Sequence, residues 1–123
     1  MSEKTKKIIY WVLTGLVGTV FIGSALGKLS GSAEGIKAAE GFGINAAAFK
    51  MLGIVELISV LLFIYPRTGV LGTILLVGYM GGAIATHLEH AQSIVAPIII
   101  ASFVCLVAVY RFPEMLNRIK NRG

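Results

Sequence analysis

Four apolar runs, each close to 20 residues long, constrain this chain more than any other feature. A bilayer core about 30 Å thick is crossed by ~20 mainly apolar residues in an α-helix, so each run is long enough to be a membrane span. Hydrophobic residues make up 56% of the chain and charged residues 14%, which is more apolar surface than one water-soluble core can bury. We predict a single transmembrane domain over residues 1–123, with spans at about 8–27, 46–65, 69–88 and 94–112.

The connections between the later spans are short, since Pro66–Gly69 is a tight turn and residues 90–93 form another. Helices joined this closely pack side by side in opposite directions. The expected fold class is therefore all-α, an integral membrane four-helix antiparallel bundle. The first loop, residues 30–45, is longer. It is either a mobile loop or a short helix. The helix would be capped by Ser32 and would place Phe42 on the membrane interface or over the bundle mouth.

Basic residues flank the predicted spans unevenly. Three lie on the side of the first loop, and eight lie on the side of the termini: Lys28, Lys37 and Lys50 against Lys4, Lys6, Lys7, Arg67, Arg111, Arg118, Lys120 and Arg122. The positive-inside rule then predicts cytoplasmic N and C termini in a bacterial-type inner membrane. Charges placed beside spans are expected to meet membrane lipids rather than nucleic acid. The first run exceeds the 7–15 apolar residues of a signal peptide, so we expect an uncleaved span.

Small residues recur every four positions within the spans. Such stripes let helix backbones approach closely, and we predict helix packing through Gly15, Gly23, Gly27, Gly78 and Gly82. The first span carries a second stripe on roughly the opposite side, formed by Thr14, Val17, Phe21, Ser24 and Lys28. Because one helix with two packing faces needs more neighbours than a small bundle supplies, we expect a homo-oligomer or a second membrane subunit as partner.

Glu56 is the acid within an apolar run, where an ionised side chain costs about 2.5–3.5 kcal/mol on insertion scales. Its backbone is predicted ~15 Å from the end of its span on the side of the termini. The backbones of Lys28 and His87 are predicted ~27 Å from that same side of the membrane. Side chains lean toward the N-terminus of their helix, which narrows this ~12 Å gap from both sides. We therefore expect the three groups to converge in a polar pocket of the outer leaflet.

Aromatic side chains on the same helix faces suit a ligand cavity, with Phe49 and Phe63 beside Glu56 and Tyr79 beside His87. The alternative is a plain bundle in which Lys28 reaches lipid phosphate, His87 faces the interface, and Glu56 is protonated or bonded to Ser59 or Tyr79. No catalytic or phosphate-binding motif is present, and the two histidines lack a third ligand for a metal. We expect no catalytic residue, no metal and no covalent cofactor.

Four segments together carry a family resemblance: Gly23–Leu29, Leu52–Leu57, Tyr65–Gly69 and Gly82–Leu88. Over essentially the whole chain the sequence resembles the DoxX-like family of four-span membrane proteins. The resemblance implies a membrane bundle, a link to quinone and to membrane redox assemblies, and, from some relatives, a chaperone-like role in assembling other membrane proteins. It also implies that Lys28, Glu56, Arg67 and His87 form the polar signature of the family. A single cysteine, Cys105, offers no thiol pair for redox chemistry.

Two functions therefore compete. In the first, the chain is an accessory membrane subunit of a redox assembly that binds a quinone or another lipidic ligand in its outer-leaflet pocket. In the second, it is a ligand-free scaffold or assembly factor that docks other membrane proteins through glycine-rich helix faces. In neither is the isolated chain expected to be an enzyme, although it would be a quinone-linked oxidoreductase subunit if it had redox activity.

Overall fold

The protein is described by a computed structural model over residues 2–121. Within this range the chain forms six α-helices and one 3₁₀ turn, with no strand. The helices are α1 (Glu3–Leu29), α2 (Ala33–Glu40), α3 (Ala46–Ile64), α4 (Gly69–Glu89), α5 (Val95–Arg111) and α6 (Pro113–Asn121), and the 3₁₀ turn Pro66–Thr68 joins α3 to α4. Arg122, one of the basic residues used to predict the orientation, lies outside the described residues.

Three segments of the described chain are long and apolar enough to cross a membrane: Glu3–Leu29, Ala46–Ile64 and Pro66–Glu89. The fourth predicted span corresponds to α5, which has 17 residues and meets Pro113–Lys120 at an angle of 99°. The number of spans is four when this bent pair counts as one. Seventeen residues rise about 26 Å, the lower limit for a span. The expectation of an all-α membrane bundle is confirmed.

The four long helices close into a ring in which α1 packs on α3, α3 on α4, α4 on α5, and α5 on α1. Their buried apolar side chains form one core, which includes Phe21, Val60, Leu76 and Val107. The Tyr110 hydroxyl donates to the Lys6 carbonyl at 3.2 Å, so the start of α1 lies beside the end of α5. We call this the terminal end of the bundle, and the opposite end, which carries α2, the loop end.

The last turn of α3 shows how a buried helix terminus at the terminal end is satisfied. A helix leaves its last four carbonyls without intrahelical partners, which is costly away from water. The Tyr65 amide donates to the Leu61 carbonyl, and the Thr68 hydroxyl donates to Leu62 at 2.7 Å. Arg111 of α5 donates to the remaining two, Phe63 at 2.7 Å and Ile64 at 3.2 Å. All four carbonyls are therefore paired, and α5 is tied to the end of α3.

A close contact between two helix backbones uses a glycine that the four-residue stripes did not single out. A methyl group at Gly72 would overlap the backbone of Phe63, so α3 and α4 touch there because Gly72 has no side chain. The five predicted packing glycines behave differently, since a methyl group on any of them would meet no atom within 4 Å: Gly15, Gly23, Gly27, Gly78 and Gly82. Among residues 2–121, none of these five packs against another helix, and their role in packing stays a prediction about a partner.

The first loop contains the short helix that was one of its two predicted structures. Ser32 caps α2, because its side chain accepts a hydrogen bond from the Gly35 amide at 3.1 Å. Just after the helix, Gly43 adopts a positive φ of 72°, which turns the chain back toward α3. The Phe42 ring then packs against the His87 ring at a tilt of 51°, with ring centroids 4.7 Å apart. The loop residues therefore cover the mouth of the bundle.

Candidate functional site

A cavity of about 640 Å³ lies at the loop end and is bounded by all four long helices and by α2. Its walls are mostly apolar and aromatic, and they include Phe21, Phe42, Phe49, Leu52, Tyr79, Met80 and Ile100. Val20, Gly82 and Ala96 also line the cavity and are exposed on the surface of the chain. The cavity is therefore open between helices at membrane depth rather than sealed.

An ion pair forms the polar part of this cavity. The Lys28 ammonium lies 3.0 Å from Glu56 Oε1, and the side chains are 17% and 3% exposed, respectively. Ser24 donates to the same oxygen at 3.1 Å and accepts from Lys28 at 2.6 Å. The Tyr79 hydroxyl donates to that oxygen at 3.4 Å. The acid is thus surrounded by donors from α1 and α4, as an ionisable group in hydrocarbon requires.

Lys28 is much closer to Glu56 along the bundle axis than the expected ~12 Å. A methyl group on Gly53 would lie 2.9 Å from Lys28 Cβ, so Lys28 stands level with Gly53, three residues or about 4.5 Å from Glu56. The expectation assumed that α1 and α3 end level with each other. In the structure Gly18 packs against Ile64, the last residue of α3. At the terminal end, α1 therefore extends well past the end of α3.

His87 lines the same cavity but does not join the ion pair. Gly72 of α4 lies against Phe63 of α3. The two helices run in opposite directions, so seven residues further toward the loop end Tyr79 stands level with Glu56. His87 is eight residues beyond Tyr79, about 12 Å nearer the loop end. Its Nδ1 lies 2.6 Å from the Ala83 carbonyl and donates to it, since a carbonyl only accepts. The predicted convergence of three groups is therefore correct for Lys28 and Glu56, while Tyr79 takes the third place.

The other predicted site residues divide between the two ends of the bundle. Phe49 lines the cavity, with its ring centroid 5.8 Å from the Lys28 ammonium. Phe63 does not line it and instead lies under the Arg111 guanidinium, 4.6 Å from ring centroid to Cζ. It shares the helix face of Glu56 but is seven residues, or about 10.5 Å, nearer the terminal end. Arg67 is exposed in the 3₁₀ turn, also at the terminal end.

Sequence reasoning missed two polar residues with structural roles. Ser24 was assigned to a packing stripe, although its place four residues before Lys28 predicts that the two side chains meet. Arg111 was counted as a surface charge that sets topology, yet it is 4% exposed. No signal within α5 reveals its partners, because they lie 47 and 48 residues away in the chain.

The cavity offers hydrogen-bonding groups to a ligand. The Lys28 ammonium has three N–H donors, of which two are used by Ser24 and Glu56. With His87 Nδ1 donating to Ala83, Nε2 is the acceptor of the neutral ring. Within residues 2–121, no three His, Cys, Asp or Glu side chains lie together as a metal site requires.

The fold and this site define a class of protein: a small multi-span helical membrane protein with a buried lysine–glutamate pair beside an open apolar cavity. The sequence model of the DoxX-like family matches residues 12–110, which is most of the chain. The chain therefore belongs to the DoxX-like family. Searches of curated proteins and of solved structures gave no match.

Proposed function

We propose that this protein is an accessory membrane subunit that binds a lipidic ligand with a polar head, with a quinone as the best fit, in the cavity at the loop end. One observation carries the proposal: the Lys28–Glu56 pair stands in the wall of an apolar cavity of about 640 Å³. Small-molecule sites combine apolar walls with a few convergent polar groups. A buried ion pair alone is weak evidence for stability, which favours a role in recognition.

The geometry accounts for how such a ligand would be held. A quinone carbonyl would accept the third N–H of Lys28, because the other two are already engaged. A reduced quinol hydroxyl could donate to His87 Nε2, since Nδ1 is occupied by Ala83. The apolar tail would leave through the opening beside Val20, Gly82 and Ala96. The ion pair remains intact in this arrangement, so no buried charge is left alone.

The proposed setting is a bacterial-type inner membrane, with both termini in the cytoplasm and the cavity in the outer leaflet, within a membrane redox assembly. The excess of basic residues at the terminal end supports this orientation. The Tyr110–Lys6 bond holds the start of α1 beside the end of α5, which agrees with an even number of spans. Labelling single cysteines at Lys4 and Lys37 in a Cys105→Ala background would test the orientation, and we expect only the first to be shielded in intact cells.

The ligand is tested with a short-chain quinone, decyl-ubiquinone, added to purified protein in detergent. Gly82→Leu places a large side chain in the cavity, where a Cβ meets no atom within 4 Å. Leucine is also a good helix former, so folding should survive. We expect binding measured by equilibrium dialysis to weaken at least about tenfold, or 1.4 kcal/mol. Gly23→Leu is the matched control, because Gly23 is equally open but does not line the cavity.

The outcome separates the possibilities clearly. Quinone binding that is lost in Gly82→Leu and retained in Gly23→Leu supports the proposal. Equal binding by all three proteins would place the quinone outside the cavity and reject the site. Glu56→Gln should weaken binding as well, since it removes the charge that positions Lys28.

The second candidate function is docking of another membrane protein, and one observation favours it. Gly15, Gly23 and Gly27 lie on the outer surface of α1, and no atom of the described part of the chain would lie within 4 Å of a Cβ there. Small residues facing lipid gain no packing, whereas a partner helix could approach them closely. In a pull-down from membranes, Gly23→Leu should lose the partner and Gly82→Leu should keep it. The reverse pattern would reject docking through α1.

A further inference from the structure

A second cavity, of about 600 Å³, lies at the terminal end between the start of α1 and the end of α5. It is far from the loop end and shares no lining residue with the first cavity. Basic and aromatic side chains dominate its walls, and those that matter are Lys6, Lys7, Tyr10, Trp11, Tyr110 and Arg111. The proposed quinone site does not use any of them.

Arg111 gives this cavity an unneutralised buried charge. The residue is 4% exposed, and its guanidinium donates to the Phe63 and Ile64 carbonyls and to the Tyr10 hydroxyl. In the part of the chain that the structure describes, no carboxylate lies within 4 Å of it, and its Nε has no hydrogen-bond partner. Carbonyls and aromatic rings solvate the cation but leave its charge, and a buried charge is costly without an opposite one.

The remaining charges of the cavity also favour an anion. Lys6 and Lys7 line it together with one acid, Glu3. Glu3 lies 3.6 Å from Lys6, and both side chains are exposed, so this pair is a surface contact of little energy. Lys6, Lys7 and Arg111 against Glu3 give the cavity a net charge of +2, and the Arg111 charge is buried. An anion in the cavity would be attracted to this net charge.

The position of the cavity identifies the kind of anion. Tyr10, Trp11 and Tyr110 are the aromatic types that collect at the membrane surface, at the level of the lipid headgroups. Next to the cavity the chain turns by 99° between Val95–Arg111 and Pro113–Lys120. With α5 crossing the bilayer, α6 runs along its surface and exposes Leu116 and Ile119. Basic pockets between helices at this depth suit anionic lipid headgroups.

We infer that the cavity at the terminal end binds the phosphate headgroup of an anionic membrane lipid. Lys6 and Lys7 contact the phosphate oxygens, and the buried Arg111 charge attracts the headgroup from below. Tyr10 can donate its own hydroxyl proton, because its oxygen is engaged only as an acceptor from Arg111. A bound lipid would thereby reinforce the seam where α1, α3 and α5 meet.

The experiment uses the full chain in nanodiscs of equal parts dioleoyl-phosphatidylglycerol and dioleoyl-phosphatidylcholine. After gentle extraction into neutral detergent, native mass spectrometry counts the lipids retained, and titration with phosphatidylglycerol gives an affinity. Lys6→Gln/Lys7→Gln removes two cavity charges without touching the bonds of Arg111. Arg118→Gln/Lys120→Gln removes two charges from α6, outside the cavity. Both pairs are exposed, so folding should be unaffected.

We expect the wild-type protein to retain phosphatidylglycerol in preference to phosphatidylcholine. The cavity variant should bind phosphatidylglycerol about 30-fold more weakly, at about 1 kcal/mol for each basic residue. The α6 variant should stay within about threefold of wild type, because a neutral micelle has no charged surface for α6 to meet. Equal losses in the two variants, or no preference between the lipids, would overturn the inference.

A second arm separates a lipid from free phosphate. Inorganic phosphate is added to lipid-stripped protein, and the melting temperature is compared with that after addition of phosphatidylglycerol. A lipid site predicts stabilisation by phosphatidylglycerol alone, because the aromatic walls contribute only when acyl chains anchor the headgroup. If inorganic phosphate stabilises the wild type equally and the cavity variant not at all, the cavity binds a soluble anion and the lipid assignment is wrong.

Discussion

The two ends of the bundle hold a buried cation in opposite ways. At the terminal end, Arg111 is enclosed by two carbonyls of α3 and by aromatic rings, and the helices touch at Gly72. At the loop end, Lys28 meets a carboxylate, and the helices leave a cavity of about 640 Å³ beside the pair. The first arrangement completes a helix terminus, whereas the second leaves donors of the buried pair itself available to a ligand. Stability should therefore depend on Arg111 more than on Lys28, and recognition of the proposed quinone on the loop end, while the lipid inferred at the terminal end meets Lys6 and Lys7.

Replacing Gly72 should produce the largest difference in stability between the two ends of the bundle. Gly72→Leu would force a side chain into the backbone of Phe63, and backbone cannot move aside as a side-chain tip can. We expect more than about 3 kcal/mol of destabilisation, beyond ordinary overpacking, seen as loss of a monodisperse peak in size-exclusion chromatography. Gly78→Leu, which has open space around its Cβ, is the control and should elute normally. Normal elution of Gly72→Leu would show that the helices separate easily.

Removing the arginine at the terminal end should have the next largest effect. Arg111→Met leaves the Phe63 and Ile64 carbonyls at the buried end of α3 without donors. Each unsatisfied group costs about 1–3 kcal/mol, so we expect a loss of about 3–5 kcal/mol with the ring contacts included. Thermal unfolding followed by circular dichroism in detergent measures it. Arg67→Met removes an exposed charge of the same end and should change the melting temperature little.

Breaking the ion pair at the loop end should cost less, because Lys28 is 17% exposed and Glu56 keeps Ser24 and Tyr79 as hydrogen-bond donors. Lys28→Met removes the cation that pairs with Glu56, and we expect about 2–3 kcal/mol of destabilisation, below the 3–5 kcal/mol typical of fully buried pairs. Lys28→Met/Glu56→Leu should recover most of this loss, since no charge then remains. A double variant that melts below the single one would mean that the pair itself stabilises the fold.

The architecture could be predicted from the sequence because each span is encoded locally, by the length of an apolar run. The Lys28–Glu56 contact was also predictable, because burial cost demands a partner for an acid at Glu56 and few candidates exist. The height of α1 relative to α3 was not predictable, because only contacts such as Gly53 with Lys28 set it, and Lys28 stands about 4.5 Å rather than ~12 Å from the level of Glu56. His87 keeps its expected ~12 Å from Glu56, and the lean of the side chains along their helices does not close that gap.

Arg111 and the outward glycines show the second limit of sequence reasoning. The role of Arg111 depends on α3 ending beside it, which α5 alone does not encode. The four-residue glycine pattern indicates a smooth helix face but not which neighbour covers it. Gly78 and Gly82 face the cavity, while Gly15, Gly23 and Gly27 face outward. Pattern identifies a surface, and only three-dimensional packing shows whether the chain itself fills it.

The smallest expected effect on stability concerns the residues that follow α1 and α4, two helices that both end at the loop end. Each is followed by a residue with positive φ, Gly31 at 67° and Ala91 at 57°. An L-residue pays roughly 1–2 kcal/mol in this conformation and glycine almost nothing. Ala91→Gly should therefore stabilise the protein, although by less than about 1 kcal/mol, because glycine also gains freedom in the unfolded chain. Gly31→Ala, with open space around it, should lower the melting temperature by a similar amount. If both changes moved it in the same direction, helix-end conformation would not govern stability at the loop end.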